Sequence, residues 1–504
     1  MASTILLLLT FFVGAIGAII LLYRQMNFWS RRGIPHLKPL PIIGNNLSMF
    51  FGRTSITEFV TNIYDSFPDA KYFGIMGFQT PVAVLRDPEL IKETCVKNFD
   101  YFLNHQSFLT EEMDPLFGKN VFSLKGDRWK VMRNTLSPCF TGAKMKFMFE
   151  IIAKCSRDFV QYFINHPDEA TSIDTKDAFT RYTNDVIATA AFGISVNSMK
   201  DRENEFYLRG KDATSFRGIW RMLKFFGFLA CPKIMKLIGV TFFSRATYRF
   251  FAAVIHDAVK TREENNIIRP DMLQLLIEAK VKDNRVEMSI DDITAQAFIF
   301  FFAGFDPSST LMCFVAHELA VNPEIQEKLR NEVDILTKHE SSDISYETLS
   351  QMKYMDMVIS EALRKYPPTA ATDRECVKKF TLPKPTPDSV EYTAEPKTVI
   401  WIPIYALHHD PKYFPDPEKF DPERFSDENK SKINPYTYVP FGIGPRKCIG
   451  NRFILLETKI LFVHILQHFI LEKCEKTRHP VEFEKIINVA IKGGSWVKFT
   501  KRNS

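Results

Sequence analysis

"FGIGPRKCIG", Phe441 to Gly450, is the stretch on which the reading of this chain turns. Cys448 stands between Gly444 and Gly450, follows Arg446 and Lys447, and opens onto an apolar run, "NRFILLETKILFVHILQHF". Glycine adopts dihedrals that other residues avoid and lets the backbone approach a bulky group. A cysteine just ahead of a helix meets unsatisfied N–H groups and the positive end of the dipole. Cationic neighbours act in the same sense, so the stretch predicts a thiol of lowered pKa. By these features alone the thiol is a metal ligand, a redox group or a nucleophile. The other seven cysteines share no metal-ligand spacing and read as small core residues.

Working outward, the chain has 504 residues, 45% apolar and 25% charged, which is ordinary globular composition. Length alone suggests about three domains, yet no flexible interior linker divides the sequence. The net charge of +6 is modest, and no nucleic-acid motif accompanies it. Ile5 to Tyr23 carries no charge. At 1.5 Å per residue it spans roughly 28 Å, about one hydrocarbon thickness. No basic residue precedes this run, and Arg24, Arg31 and Arg32 follow it. That order favours an uncleaved anchor over a signal peptide and leaves the remainder on the cytosolic side. Residues 24–44 are basic and proline-rich, a stiff extended connector.

Ser289 to Val321 gives the longest helical signal, with an S-x-x-D start and an apolar run that predicts burial. "SYETLSQMKYMDMVISEALRKYPP" reads as one further helix stopped by Pro367 and Pro368. "IKGGSWVKF" reads as a hairpin turning at Gly493-Gly494. Residues 225–243 are rich in aromatics and fit either core packing or a surface that dips into a membrane.

The opening stretch matches F-x-x-G-x-R-x-C-x-G at Phe441, Gly444, Arg446, Cys448 and Gly450. It resembles the haem-binding loop of the cytochromes P450, the haem-thiolate monooxygenases. The resemblance covers essentially the whole chain and implies a mainly α fold with a small β portion. It replaces the three-domain estimate with one transmembrane anchor (1–23), the linker (24–44) and a single haem-binding catalytic domain (45–504). It implies haem b, with Cys448 as the metal ligand whose thiolate favours O–O cleavage. Glu361 and Arg364 form E-x-x-R, and "DPERF" supplies Arg424. By resemblance these three make a buried structural ion network supporting the cysteine loop. Trp129 and Arg133 form W-x-x-x-R on one helix face. With Arg374 and Arg446, they match the family's haem propionate partners.

One place departs from the pattern. The family's oxygen-activating helix typically reads A-G-x-[DE]-T-[ST], and here Ala303, Gly304, Phe305, Asp306, Pro307 and Ser308 stand in that frame. Ala303 and Gly304 are expected to leave room over the haem, and Asp306 keeps the acid. Proline replaces the threonine whose hydroxyl is credited with proton delivery. Ser308, although about 100° further around an undistorted helix, a bound water or the substrate is the expected substitute. Two alternatives stay open: an isomerase or dehydratase of peroxides that needs no reductase, and a haem-binding protein without turnover.

The resemblance further implies a microsomal monooxygenase on the cytosolic face of the endoplasmic reticulum membrane. The chain carries no flavin or nicotinamide fingerprint, so electrons are expected from NADPH-cytochrome P450 reductase, with cytochrome b5 as a possible second donor. The sequence resembles insect microsomal members of the xenobiotic-handling branch, the ninth insect family in particular. Lipophilic plant toxins or insecticides are the implied substrates. Phe305, Thr369 to Thr372 and "NVAIKGG" match positions that line the family's pocket. Lys130, Arg133, Lys144, Lys146, Lys447 and Arg452 suggest a basic face for the electron donor.

Overall fold

A computed structural model describes residues 2–502 apart from 108, 216–217, 270, 283–287 and 339–343. The N-terminal helix α1 (Ala2–Met26) stands apart from the body, with none of its apolar window buried. After short helical segments that include Ile56–Asp65 comes a hairpin, β1 (Tyr72–Gly77) and β2 (Thr80–Leu85). Helices α2 (Gly126–Leu136) and α3 (Gly142–Asn165), the short β3 (Ile173–Asp174) and α4 (Thr175–Ile187) follow. Then come α5 (Ile219–Ala230), α6 (Pro232–Leu237), α7 (Ile290–Val321) and α8 (Pro323–Thr337). Two helices, α9 (Tyr346–Gln351) and α10 (Lys353–Lys365), lead to β4 (Thr372–Glu375). The C-terminal part holds β5 (Phe380–Leu382), β6 (Tyr392–Ala394), β7 (Val399–Ile402) and α11 (Ile404–His409). It ends with α12 (Asn451–His468), β8 (Phe469–Glu472) and β9 (Trp496–Lys501).

The expected mainly helical fold with a small β portion is what the chain adopts. One hydrophobic core lies among the helices around α7, and a second lies under the sheet β1-β2-β7-β4. In that sheet β2 pairs β7 in parallel, while β1 and β4 pair antiparallel on either side. α7 starts where its sequence says. The Ser289 hydroxyl accepts from the Asp292 N–H (3.2 Å), and the Asp292 carboxylate accepts from the Ser289 N–H (2.9 Å). Its apolar stretch is buried by protein, so α7 is a core helix despite its hydropathy.

Two expectations fail. The single helix expected over 345–368 is broken at Met352, whose side chain is wholly buried. The Glu332 carboxylate on α8 accepts from the N–H groups of Tyr354 (2.7 Å) and Met355 (2.9 Å). A carboxylate from another helix therefore caps a new start there. The hairpin expected at Gly493-Gly494 is a turn between unpaired partners. β9 pairs β8 and β3, while Ile491 bridges Phe483. Val497 and Phe499 reach the helical core from that register.

Residues 225–243 divide by face. Phe226 and Phe228 are buried, whereas Leu237 and Ile238 are exposed, together with Trp220 just upstream.

Candidate active site

The cysteine loop is closed by the Cys448 N–H donating to the Phe441 carbonyl (2.8 Å). Gly444 has φ 71° and passes against the Cys95 carbonyl, leaving no space for a Cβ. Cys448 thereby faces an apolar internal cavity. Phe441 and Arg446 come from its own loop, Trp129 and Arg133 from α2, and Ile299, Phe300, Ala303 and Pro307 from α7. Thr369, Thr372 and Ile404 close the other side. Of the cysteines among the described residues, only Cys448 lines it.

The expected lowering of the Cys448 pKa is not found. Burial pushes the thiol up, and the Gly450 N–H, Arg133 and Lys447 only partly counter it. Arg446 does not contribute, because its guanidinium is turned away. It stacks on Trp129, 4.0 Å from the ring centroid, and donates to the carbonyls of Leu103 (2.9 Å) and Leu124 (2.8 Å). The cation nearest in effect is Arg133, which also donates to the Lys447 carbonyl (2.7 Å) and so ties α2 to the loop. A thiol held up this way becomes a ligand when a bound metal displaces its proton to water.

Arg374 sits behind the cavity wall. It donates to the carbonyls of Ile443 (2.9 Å) and Asp373 (2.6 Å), and its buried Nε has no partner. His105, which no sequence pattern marks, lines the cavity, stacks on Phe122 at 4.7 Å and lies 3.1 Å from Asp373 through Nδ1. Burial pushes His105 down, and Arg374 and Arg446 add to that. Burial and the neighbouring Arg374 push Arg446 down to about 9. Arg374 and Arg133 lie near enough to Arg446 to act on it, and the one carboxylate that does so, Asp373, is already occupied by His105 and the Gln106 N–H. Buried cations in excess of anions need a dianionic partner, and guanidinium suits carboxylates.

The α7 residues point in different directions. Ala303 and Pro307 face the cavity. Gly304 does not open it, since a Cβ there would meet Ile187 of α4 at 3.2 Å. Its smallness serves the α4–α7 contact. Asp306 lies outside the cavity wall, paired with Lys176 Nζ (2.9 Å) and Asn488 Nδ2 (3.3 Å). Lys176 also donates to Ser309 Oγ and Thr310 Oγ1, both 2.8 Å. The Ser308 hydroxyl is buried on the α12 side, toward Glu457, without a hydrogen bond of its own among the described residues, and burial holds the Glu457 carboxyl well above its usual range. Ser308 therefore does not stand over the cavity as expected. One residue past Pro307 is about 100° around the helix. Phe305 packs on Phe301 (5.0 Å) and Tyr207 (6.0 Å), and the 488–494 segment touches Asp306 instead of the cavity. Thr369 and Thr372 are in the wall as expected.

Beneath the loop, Arg364 binds Glu361 through two parallel bonds of 2.8 and 2.7 Å, with neither side chain exposed. Arg424 Nε lies 3.5 Å from the same carboxylate, and the Asp421 N–H donates to it (3.0 Å). Such mutual satisfaction is what buried charges require.

A cavity with one thiol in its wall, a cationic rim and apolar sides fits an iron porphyrin, with the thiol for the metal and the rim for the carboxylates. The arrangement is that of a haem-thiolate protein. A family model described as Cytochrome P450 matches residues 34–496. "Cytochrome P450 9e2" of Blattella germanica is 46% identical, covering 95% of this chain and 94% of that protein. "Probable cytochrome P450 9f2" of Drosophila melanogaster is 42% identical over 95% of each, and "Cytochrome P450 6j1" of Blattella germanica is 35% identical over 96% and 95%. The chain belongs to the cytochrome P450 family. It is a monooxygenase whose cofactor is haem b with cysteine thiolate ligation.

Proposed function

We propose that Cys448 would hold the haem iron, and that the protein oxygenates lipophilic small molecules with electrons drawn from NADPH through cytochrome P450 reductase, cytochrome b5 serving as a second donor. The observation that carries the reading is Cys448 as the one cysteine facing the cavity. When bound, the haem supplies the activation of dioxygen, and the thiolate supplies electron density for O–O cleavage. Arg133, Arg446 and Trp129, all in the cavity wall, would hold the propionates, with His105 beside them and Arg374 adding positive charge from behind. Ile299, Phe300, Val121, Phe122 and Ile404 exclude water and favour apolar substrates, such as plant toxins and insecticides.

Proton supply rests on α7. Pro307 has no N–H, so the Ala303 carbonyl, four residues back in the cavity wall, loses its ladder donor. A water held by that carbonyl takes the place of the missing hydroxyl. Asp306, one quarter exposed on the other side of the helix, replenishes its proton while Lys176 holds the carboxylate in place. Glu361, Arg364 and Arg424 keep the loop rigid and take no part in the chemistry. The apolar α1 and the arginines after it support an anchor in the endoplasmic reticulum membrane with the body on the cytosolic face.

The experiment sets aerobic incubation with reductase, NADPH and a lipophilic panel beside anaerobic incubation with lipid peroxides. NADPH-dependent oxygenated product is the expected outcome. Rapid anaerobic peroxide turnover with no NADPH-dependent product would overturn monooxygenation in favour of peroxide isomerisation or dehydration.

A further inference from the structure

The buried ion pair and the cysteine loop do not touch directly, and His408 of α11 stands between them. It is wholly buried. The Arg364 guanidinium donates to the His408 carbonyl (3.1 Å), and His408 Nδ1 lies 3.1 Å from the Arg364 carbonyl, so the two residues bind each other twice. The other ring nitrogen, Nε2, accepts from the Val439 N–H at 3.0 Å. Val439 lies two residues before Phe441, whose carbonyl accepts from the Cys448 N–H. Tyr438 stacks on the His408 ring at 5.4 Å and donates its hydroxyl to the Ser360 carbonyl of α10 (3.0 Å).

These partners fix one tautomer. A carbonyl at Nδ1 needs a proton there, and an N–H at Nε2 needs a lone pair there. A second proton on the ring would leave two donors facing each other at Val439. We propose that His408 is a positioning residue, and that its neutral ring couples the Glu361–Arg364 pair to the cysteine loop and keeps the thiolate on the metal. No free carboxylate among the described residues faces the ring to support a second proton. Arg364 of α10 is cationic, His409 is its neighbour on α11, the Glu361 carboxylate is occupied by Arg364, and the backbone of Arg364 and Leu363, with the stacked Tyr438 and the edge-on Phe414, does not offset burial. Burial pushes His408 well down, with His409 and Arg364 in the same direction. A depressed histidine contributes stability above its unfolded value, near 6.5, and loses it as the solution is acidified.

The inference rests on Cys448 as the ligand, and the test separates the two. The reduced carbon monoxide complex of the haem-loaded full chain is recorded from neutral to acid pH for wild type, His408→Gln, His408→Phe and Cys448→Ser. A red-shifted Soret band in wild type, absent from Cys448→Ser, establishes the ligand. A band that persists in Cys448→Ser overturns that reading and this inference with it. His408→Phe strips the Val439 N–H of its partner. It is expected to cut the thiolate-ligated fraction at neutral pH about tenfold, as one unmade buried hydrogen bond would. Glutamine can donate and accept in the same places without titrating. His408→Gln is expected to keep the band and to move its acid midpoint down by about one pH unit. An unchanged band in His408→Phe, or a His408→Gln midpoint equal to that of wild type, overturns the proposal. Should His408→Phe fail to take up haem, the glutamine midpoint decides alone.

Discussion

Pro307 is where this chain departs from its family, and the side chains around it divide the work by direction. Ser308 is turned to the α12 side, against a buried Glu457, and Asp306 is turned to Lys176 and Asn488. Neither hydroxyl nor carboxylate stands in the cavity wall, so the proton has to cross the helix by water. Asp306→Asn is expected to slow product formation about tenfold or more, within the range of a lost proton relay, and to divert NADPH electrons to hydrogen peroxide. Ser308→Ala, by contrast, is expected to change the ratio of product to peroxide by less than about twofold, because its hydroxyl is wholly buried on the α12 side, off the solvent route that the partly exposed Asp306 opens. The measurement is NADPH consumed, product formed and peroxide released in one reaction. A rise in peroxide with Ser308→Ala would put the hydroxyl back on the proton path.

At the scale of elements, α5 and α6 present an unpartnered apolar face. Trp220 is 80% exposed and Leu237 86% exposed, while Phe226 and Phe228 hold the same segment to the body. Such an amphipathic pair, in a chain whose N-terminal helix is long and apolar enough to cross a membrane, is expected to lie in the interface plane of a bilayer, apolar side down. Trp29 and Trp129 are buried and Trp401 and Trp496 are half-buried, which leaves Trp220 as the one exposed indole. In vesicles of brominated lipid, the full-length chain is therefore expected to show tryptophan quenching that falls by more than about half in Trp220→Phe, the rings at the interface being the ones lipid reaches. Equal quenching in both proteins would place this face away from the membrane.

For the whole molecule, surface charge governs how an electron donor approaches. Lys130 and Lys146 are engaged with Asp100 and Glu347, and Arg133 is turned into the cysteine loop. Lys447 and Arg452 remain exposed beside Cys448, with no ion-pair partner among the described residues. Exposed charges steer encounter and are screened within about 8 Å at physiological salt. Turnover supported by reductase is accordingly expected to fall as salt is raised, and Lys447→Glu should slow it several-fold while leaving a peroxide-driven reaction nearly unchanged. Equal loss by both routes would mean that the substitution disturbs the haem loop itself.

The sequence alone settled those features that depend on local pattern. The thiolate loop is written in five residues within ten, the capping box of α7 in two residues three apart, and the E-x-x-R pair in one turn of helix. Each is a short-range geometry, so spacing carries it. The direction in which a side chain points, and what it meets there, belonged to the tertiary structure. Gly304 is small for Ile187, Arg446 turns from the thiol to Trp129, and Met352 breaks a helix because Glu332 of another helix caps the next one. The Cys448 pKa rises for the same reason. Burial raises it, and burial is set by elements far apart in the chain and outweighs the nearby N–H and cations that the sequence does show.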